Sequence, residues 1–321
     1  MINRQNFLDV RAYLAYSAQT RQNAPATVDR YRKCLRHLLE WADETPFPKS
    51  RILDPFPIYL KATTLAPASI LKTLMVARQF FTFCRMEYPH LYKPITETWI
   101  ESLQPPRDLR PQSRIPERSY YTLEEVLKLC AAPVTTLRLQ RAQAGLAMLY
   151  LSGMRADALA SIPIHCVDLP NRAIQQLPEF GVRTKGRKAA ITYLLPIPEL
   201  LAVVERWQSL HSAFCLSNSA LWYSTLYPFN ERLIPTEIAF EGRYHLVERD
   251  IEKLCETLGM KYLSPHKLRH GHVVYSVGRV KTMRELKAVS LNVMHSSVIT
   301  TDSIYNRLMG NEVRDVIQTL T

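Results

Sequence analysis

Apolar positions recur at helical spacing through most of the chain. Between Ala26 and Trp41, Val28, Tyr31, Leu35, Leu38 and Leu39 fall on one stripe and Arg30, Lys33, Arg36 and His37 fill the remainder, which predicts an amphipathic helix with a basic outer face. Between Ala68 and Met86 the stripe is Ile70, Leu74, Ala77, Phe81 and Cys84, and Pro67 suits the first turn. With shorter helical stretches at Asn6–Ser17 and Phe56–Lys61, the leading residues predict a small all-helical unit. From Gln104 to Arg118 a Pro- and Arg-rich run breaks the pattern and reads as a stiff, basic linker. Thr122-Leu-Glu-Glu125 then matches a capping box that opens a second unit, in which Arg138–Leu151, Ile197–His211 and Tyr244–Leu258 are predicted helices. Two β-like runs, Arg172–Leu177 and Ala190–Pro196, flank the basic segment Val182-Arg-Thr-Lys185-Gly-Arg-Lys188 and predict a hairpin with a lysine at its tip. Ser212–Gly242 is rich in aromatics and takes no assignment, and Asn311–Leu320 reads as a short amphipathic helix. The expected fold is therefore mainly α with a small antiparallel β element, divided as residues 1–104, a linker at 105–118, and 119–321.

Composition narrows the class. A chain of 321 residues exceeds a usual single domain, and its 47% apolar content is enough for two cores. A formal net charge of +12 favours a polyanionic partner, because each neutralised phosphate releases counterions. Anionic membrane binding is the competing reading of that charge. No run is long enough to span a bilayer and Met1-Ile-Asn-Arg-Gln has no signal-peptide pattern, so the expectation is a cytoplasmic protein associated with nucleic acid. The six cysteines, at 34, 84, 130, 166, 215 and 255, form no C-x-x-C pair and read as reduced, mostly buried thiols.

The candidate chemistry lies near the end of the chain. His266-Lys-Leu-Arg269-His270 is followed by Met294-His295-Ser-Ser and then by Thr300-Thr-Asp-Ser-Ile-Tyr305. A tyrosine hydroxyl close to imidazoles and a guanidinium can attack a phosphodiester without a metal, since arginines stabilise the charge gathering on the non-bridging oxygens. A phenol with a pKa near ~10 must lose its proton to a neighbouring base as it attacks. Upstream, Leu151-Ser-Gly153-Met-Arg155 ends an apolar helix at glycine and places a second arginine at the start of the next. Lys185 on its hairpin can reach a groove and protonate a leaving oxygen, with Lys188 its nearest rival and Arg183 and Arg187 as phosphate contacts. A zinc site at His266 and His270 is the weaker reading, because neither an H-E-x-x-H glutamate nor a cysteine cluster accompanies them.

In this order, Arg155, Lys185, His266-x-x-Arg269, His295 and Tyr305 resemble the tyrosine recombinase (phage integrase) family over nearly the whole chain. The resemblance implies that Arg155, Arg269 and His295 hold the scissile phosphate. It makes Lys185 the general acid on the 5′-oxygen, has His266 assist proton transfer, and joins Tyr305 covalently to a 3′-phosphate. It further implies a helical core-binding domain in front of the catalytic domain, with Arg30, Lys33 and Arg36 on the DNA backbone. Double-stranded DNA is the implied partner, and the implied assembly is a homotetramer on DNA built from a monomer or weak oligomer. No cofactor or metal enters the implied reaction. Two positions depart from the family pattern: the acidic residue usual three places after the first arginine is Ala158, with Asp157 one place early, and the glycine common before the late histidine is Met294. A type IB topoisomerase, a catalytically silent DNA-binding relative and an RNA-binding protein are the alternatives, and the sequence shows none of the aromatic sheet motifs expected of the last. In the family a terminal helix often docks on a neighbouring protomer, so Asn311–Leu320 is expected either to exchange in this way or to pack on its own domain.

Overall fold

The computed structural model describes residues 2–106, 120–214, 216–227 and 232–295. The chain divides into two compact units, Met1–Arg114 and Ile115–Thr321. Most of the predicted linker, the Tyr305 segment and Asn311–Leu320 lie outside the described residues.

In the first unit, helix α1 (Arg4–Gln19) opens at Asn3, whose side-chain oxygen accepts from the amides of Gln5 and Asn6. Helix α2 (Pro25–Ala42) buries Tyr31, Leu35, Leu38 and Leu39 of the predicted stripe, while Val28 is half-buried. A 3₁₀ turn at Phe47–Ile52 and helix α3 (Phe56–Lys61) lead to α4 (Pro67–Glu87), which starts on its proline and buries all five predicted stripe residues. A short helix α5 (Glu97–Ser102), capped by Thr96, closes the unit. Tyr13, Leu38, Phe47, Phe80 and Phe81 form its fully buried centre.

The second unit begins with α6 (Leu123–Ala131), where Thr122 and Glu125 form the predicted capping box. Helix α7 (Leu137–Ser152) is buried continuously from Arg141 onward, ends at Gly153 in the left-handed conformation, and is followed by α8 (Ala156–Ser161), whose N-cap is Arg155. Strands β1 (Val167–Asp168), β2 (Ala173–Gln176) and β3 (Ala190–Tyr193) then form an antiparallel sheet in that order, with Ile174 opposite both Val167 and Thr192. The β2–β3 connection is longer than the predicted hairpin tip. Pro178 and Gly181 (φ +81°) break the strand into a 3₁₀ turn, and a second turn holds Lys185–Arg187, so Lys185 sits midway along a loop rather than on a tight turn. Helix α9 (Pro198–Ala213) follows, and the unassigned stretch contains a short antiparallel pair, β4 (Thr225–Leu226) with β5 (Leu233–Ile234). Helices α10 (Tyr244–Thr257), α11 (His266–Val277) and α12 (Met283–Asn292) complete the unit, and α7 is the central helix that touches α6, α9, α10 and α11. No described helix is long and apolar enough to cross a membrane. The five described cysteines are free and buried, and Cys215 lies outside the described residues.

A buried charge network pins α7 to α10. The Asp250 carboxylate, fully buried, accepts from Arg138 at 2.8 Å, from Arg141 at 2.9 Å and from the Tyr223 hydroxyl at 2.8 Å. Arg141 also donates to the Ser224 carbonyl at 2.6 Å, and buried Arg243 donates to the carbonyls of Ala160 and Tyr223. Removing one partner leaves the other charge desolvated and unpaired. Asp250→Ala is therefore expected to destabilise the second unit by roughly 3–5 kcal/mol; urea unfolding measures this, and a loss under about 1 kcal/mol, the scale of an exposed pair, would contradict the network's role.

Candidate active site

Arg269 is the residue around which the site is assembled. It lies in the first turns of α11, is 2% exposed, and donates to the Gly153 carbonyl at 2.7 Å and to the Val293 carbonyl. Its guanidinium thus joins the C-terminal ends of α7 and α12, where carbonyls left over by the helices carry partial negative charge. Gly153 is required there twice over. Its φ of +64° is left-handed, and a Cβ on it would stand 2.7 Å from both His272 and Val293. His272, wholly buried, donates from Nδ1 to the Tyr150 carbonyl at 2.7 Å and remains neutral, its pKa lowered to about 4 chiefly by burial.

His295 is placed by backbone geometry. The amide of Met294 donates to the Leu291 carbonyl at 2.8 Å and the amide of His295 to Ser290 at 3.0 Å, the paired bonds of a Schellman C-cap. In that motif the residue after the cap adopts a left-handed conformation, and Met294 has φ +56°. Glycine adopts this conformation without steric cost; here a methionine adopts it.

Five of the six residues singled out as catalytic are described, and they lie within one another's electrostatic reach. The pKa of Arg269 is lowered to about 9, first by burial and then by the charge of Arg155. His266 opens α11 and stays exposed on one side; local desolvation, then Arg269, Arg155, Lys267 and Lys185, lower its pKa. His295 is lowered to about 4 by burial, Arg269, Arg155, His266 and His270. Burial first, and the neighbouring cations after it, disfavour the protonated form of both imidazoles. Half-buried Arg155 has a pKa lowered by desolvation, and its side chain makes no hydrogen bond or ion pair among the described residues. The rings of His266 and His270 meet edge-on at 4.6 Å. Among the described residues no group of three or more His, Cys, Asp or Glu is arranged to hold a metal. Tyr305 lies outside the described residues.

Asp157 does not brace Arg155. Its carboxylate stands 3.2 Å from Nε of Arg183, an ion pair at ion-pair distance but outside hydrogen-bond angles. Burial, with Glu241 adding to it against the pull of Arg183, raises the Asp157 pKa. The Arg183 amide donates to Ser161 at 2.8 Å and its guanidinium to the Phe240 carbonyl at 2.7 Å. Arg183, read from sequence as a phosphate contact, is thereby turned inward and fastens the start of the lysine loop to α8. Lys185, Arg187 and Lys188 remain exposed, with Arg187 at φ +53°. In the first unit Lys33 pairs with Asp29 at 2.9 Å, Arg36 with Glu40 at 3.3 Å, and Arg30 reaches Thr27 at 3.4 Å. These contacts are exposed and worth little, so phosphates can displace them.

Comparison with known proteins decides the family. The model described as the phage integrase family matches residues 120–312, three-fifths of the chain and the span that holds the whole candidate site. The chain belongs to this family, the tyrosine recombinases. Among curated relatives it is 25% identical to the tyrosine recombinase XerC of Salmonella typhi, over 94% of this chain and 91% of that one. It is also 25% identical to XerC of Treponema denticola, over 96% of each. Among solved structures it resembles a lambda integrase dimer bound to a COC′ core site (TM-score 0.65, 14% identity, covering 97% and 98% of the two chains). XerH bound to a palindromic difH substrate gives a TM-score of 0.64 at 16% identity, covering 93% and 81%. The mainly helical fold with small antiparallel sheets is that of these recombinases, and this chain is a tyrosine-type site-specific DNA recombinase; a strand-relaxing or silent relative is not favoured.

Two predictions follow from the geometry. Met294→Gly relieves a left-handed non-glycine residue and is expected to raise stability by up to about 1 kcal/mol without disturbing His295; a lower melting temperature would show that the methionine side chain is needed there. The second concerns pH. His272 and His295 both have folded pKa values of about 4 against an ordinary 6.5, so the unfolded chain binds more protons below 6.5. Stability present above pH 6.5 should be lost progressively as pH falls towards 4, in thermal melts of the free protein. A bound phosphodiester favours protonated His295, so duplex DNA should flatten that dependence and DNA affinity should rise as pH falls from 7 to about 5.5; an unchanged slope with DNA would place His295 away from the phosphate.

Proposed function

We propose that the recombinase breaks and rejoins double-stranded DNA through Tyr305, with Arg155, Arg269 and His295 on the scissile phosphate, Lys185 as general acid and His266 as proton acceptor. The observation that carries this reading is the gathering of Arg155, Arg269, His266 and His295, with neither arginine in an ion pair with a carboxylate among the described residues. Two guanidiniums repel each other in a partly buried space, and burial together with these cations lowers the pKa of two imidazoles beside them. A desolvated positive cluster is costly unless an anion completes it, and a phosphodiester supplies that charge most strongly as its non-bridging oxygens become more negative in the transition state.

In the proposed step the Tyr305 oxygen attacks phosphorus and its proton passes to neutral His266. The bond from phosphorus to the 5′-oxygen breaks, and Lys185 gives that oxygen a proton. The product is a 3′-phosphotyrosine, and attack by a free 5′-hydroxyl of a partner strand reverses the step. One phosphoester replaces another of similar energy, so the scheme calls for no nucleotide cofactor. Exchange between two duplexes needs four such sites, which supports a homotetramer on DNA assembled from a monomer or weak oligomer. Residues 1–104 form the core DNA-binding domain in this reading, with Arg30, Lys33 and Arg36 adding phosphate contacts, 105–118 the linker, and 119–321 the catalytic domain. Arg187 is a further phosphate contact, and the site of action is the nucleoid.

Incubating the protein with duplexes that carry candidate sites from its own locus, without divalent metal, tests the scheme. A denaturant-resistant protein–DNA adduct is expected and should vanish in Tyr305→Phe while binding persists. An adduct that survives the substitution would move the nucleophile to another residue.

A further inference from the structure

The lysine loop is fastened at both ends, and its second fastening involves a residue outside the catalytic set. Strand β3, which carries the chain out of the loop, is the edge of the three-stranded sheet. An edge strand leaves alternate residues with both amide and carbonyl unpaired on the open side. At Tyr193 that pair is taken up by one side chain: the Tyr193 amide donates to Oδ1 of Asn292 at 2.7 Å, and Nδ2 of Asn292 donates back to the Tyr193 carbonyl at 3.0 Å. A carboxamide presents the same donor and acceptor as a peptide group, so Asn292 closes the edge as one residue of a fourth strand would. Next to it, the buried Thr192 hydroxyl donates to the Asn292 carbonyl at 3.0 Å and accepts from Gln176 at 2.6 Å, so the latch reaches both strands that flank the loop.

Asn292 is the last residue of α12. The next residue gives the carbonyl that holds Arg269, and His295 follows within the same C-cap. The latch therefore joins the strand leaving Lys185 to the turn that carries His295. At the other end of the loop, Arg183 is tied to α8, which begins at Arg155. Lys185 lies between these anchors in an exposed turn with Gly186 at φ +71° and Arg187 at φ +53°, and it has no packing of its own to fix its position.

We infer that Asn292 is a positioning residue for the strand-cleavage step: by pairing with Tyr193 it sets the lysine loop in register with the phosphate-binding turn, so that Lys185 meets the leaving 5′-oxygen. The inference rests on the reading of Lys185 as general acid. Its test isolates that proton. In a duplex whose scissile 5′-oxygen is replaced by sulfur, the leaving group departs as a thiolate and needs no acid, since thiols ionise near ~8.5, well below alcohols.

Cleavage rates of Asn292→Ala, Asn292→Asp, Lys185→Ala and the double variant Lys185→Ala/Asn292→Ala are compared on the oxygen and sulfur duplexes, with the Tyr305 adduct as readout. Asn292→Asp keeps the acceptor for the Tyr193 amide but sets a negative charge against its carbonyl, so it breaks the latch while conserving size. On the oxygen duplex both Asn292 variants should cleave about 10- to 100-fold more slowly, the scale of a misplaced catalytic group. On the sulfur duplex they should recover together with Lys185→Ala, and the double variant should be no slower than Lys185→Ala alone. Recovery of Lys185→Ala but not of the Asn292 variants, or Asn292 variants as fast as the unaltered protein on oxygen, would overturn the latch and leave the general acid in place. Failure of Lys185→Ala itself to recover would instead remove the general-acid reading, and the inference with it.

Discussion

The site depends on one buried guanidinium held by two carbonyls. Arg269 is taken out of water on α11, and the Gly153 and Val293 carbonyls at the ends of α7 and α12 partly replace its hydration. Neither acceptor carries a full charge, so the arginine keeps an electrostatic deficit that lowers its pKa. That deficit is useful only if the three helix ends are fixed, because a cation held by weak acceptors binds a phosphate strongly only when nothing has to reorganise to receive it. Gly153 supplies the left-handed turn and the room for His272 and Val293 that bring the ends together.

Two buried arginines of the second unit, Arg141 and Arg269, are held differently. Arg141 is paired with Asp250, which also takes the Tyr223 hydroxyl, and the network holds α7 to α10. Among the described residues, Arg155 and Arg269 have no such carboxylate. Asp157, the nearest acid in sequence to Arg155, is turned to Arg183. A carboxylate between the two arginines would stabilise the free protein and compete with the phosphate; its position one residue early sends the negative charge to the loop instead.

Much of this was legible in the sequence where local physics dominates. The stripes of α2 and α4 faced the core as their spacing implied, the Thr122–Glu125 capping box was present, and the glycine after Leu151 ended α7 with Arg155 opening the next helix. Helix α11 was not legible. His266–Val277 contains Gly271, three histidines and paired valines, a poor local helix former, and it is held by tertiary contact: Gly271 lets the Tyr121 carbonyl approach so closely that a Cβ would stand 2.1 Å from it. Helix α12 did carry a readable signal, the Thr282–Glu285 capping box, and only its short apolar pattern concealed it. The partner of Asp157 could not have been read, since the pair joins a helix to a loop that sequence spacing does not relate. The role of Asn292 was hidden for the same reason, one side chain standing in for a strand.

In the proposed scheme, these long-range fastenings let an exposed lysine serve a buried phosphate site. The loop from 177 to 189 is too long to be set by turn geometry, and Gly186 and Arg187 add left-handed freedom at its tip. Its ends, however, are each tied to an element that carries a proposed phosphate-binding group, Arg183 to the helix of Arg155 and Tyr193 to the turn of His295. The residues between these anchors form the exposed tip that carries Lys185. A general acid of this kind must approach the 5′-oxygen as the phosphorus bond breaks and must withdraw when a partner strand takes its place. A short tip held between two firm anchors allows both, whereas a rigid hairpin would favour one position only.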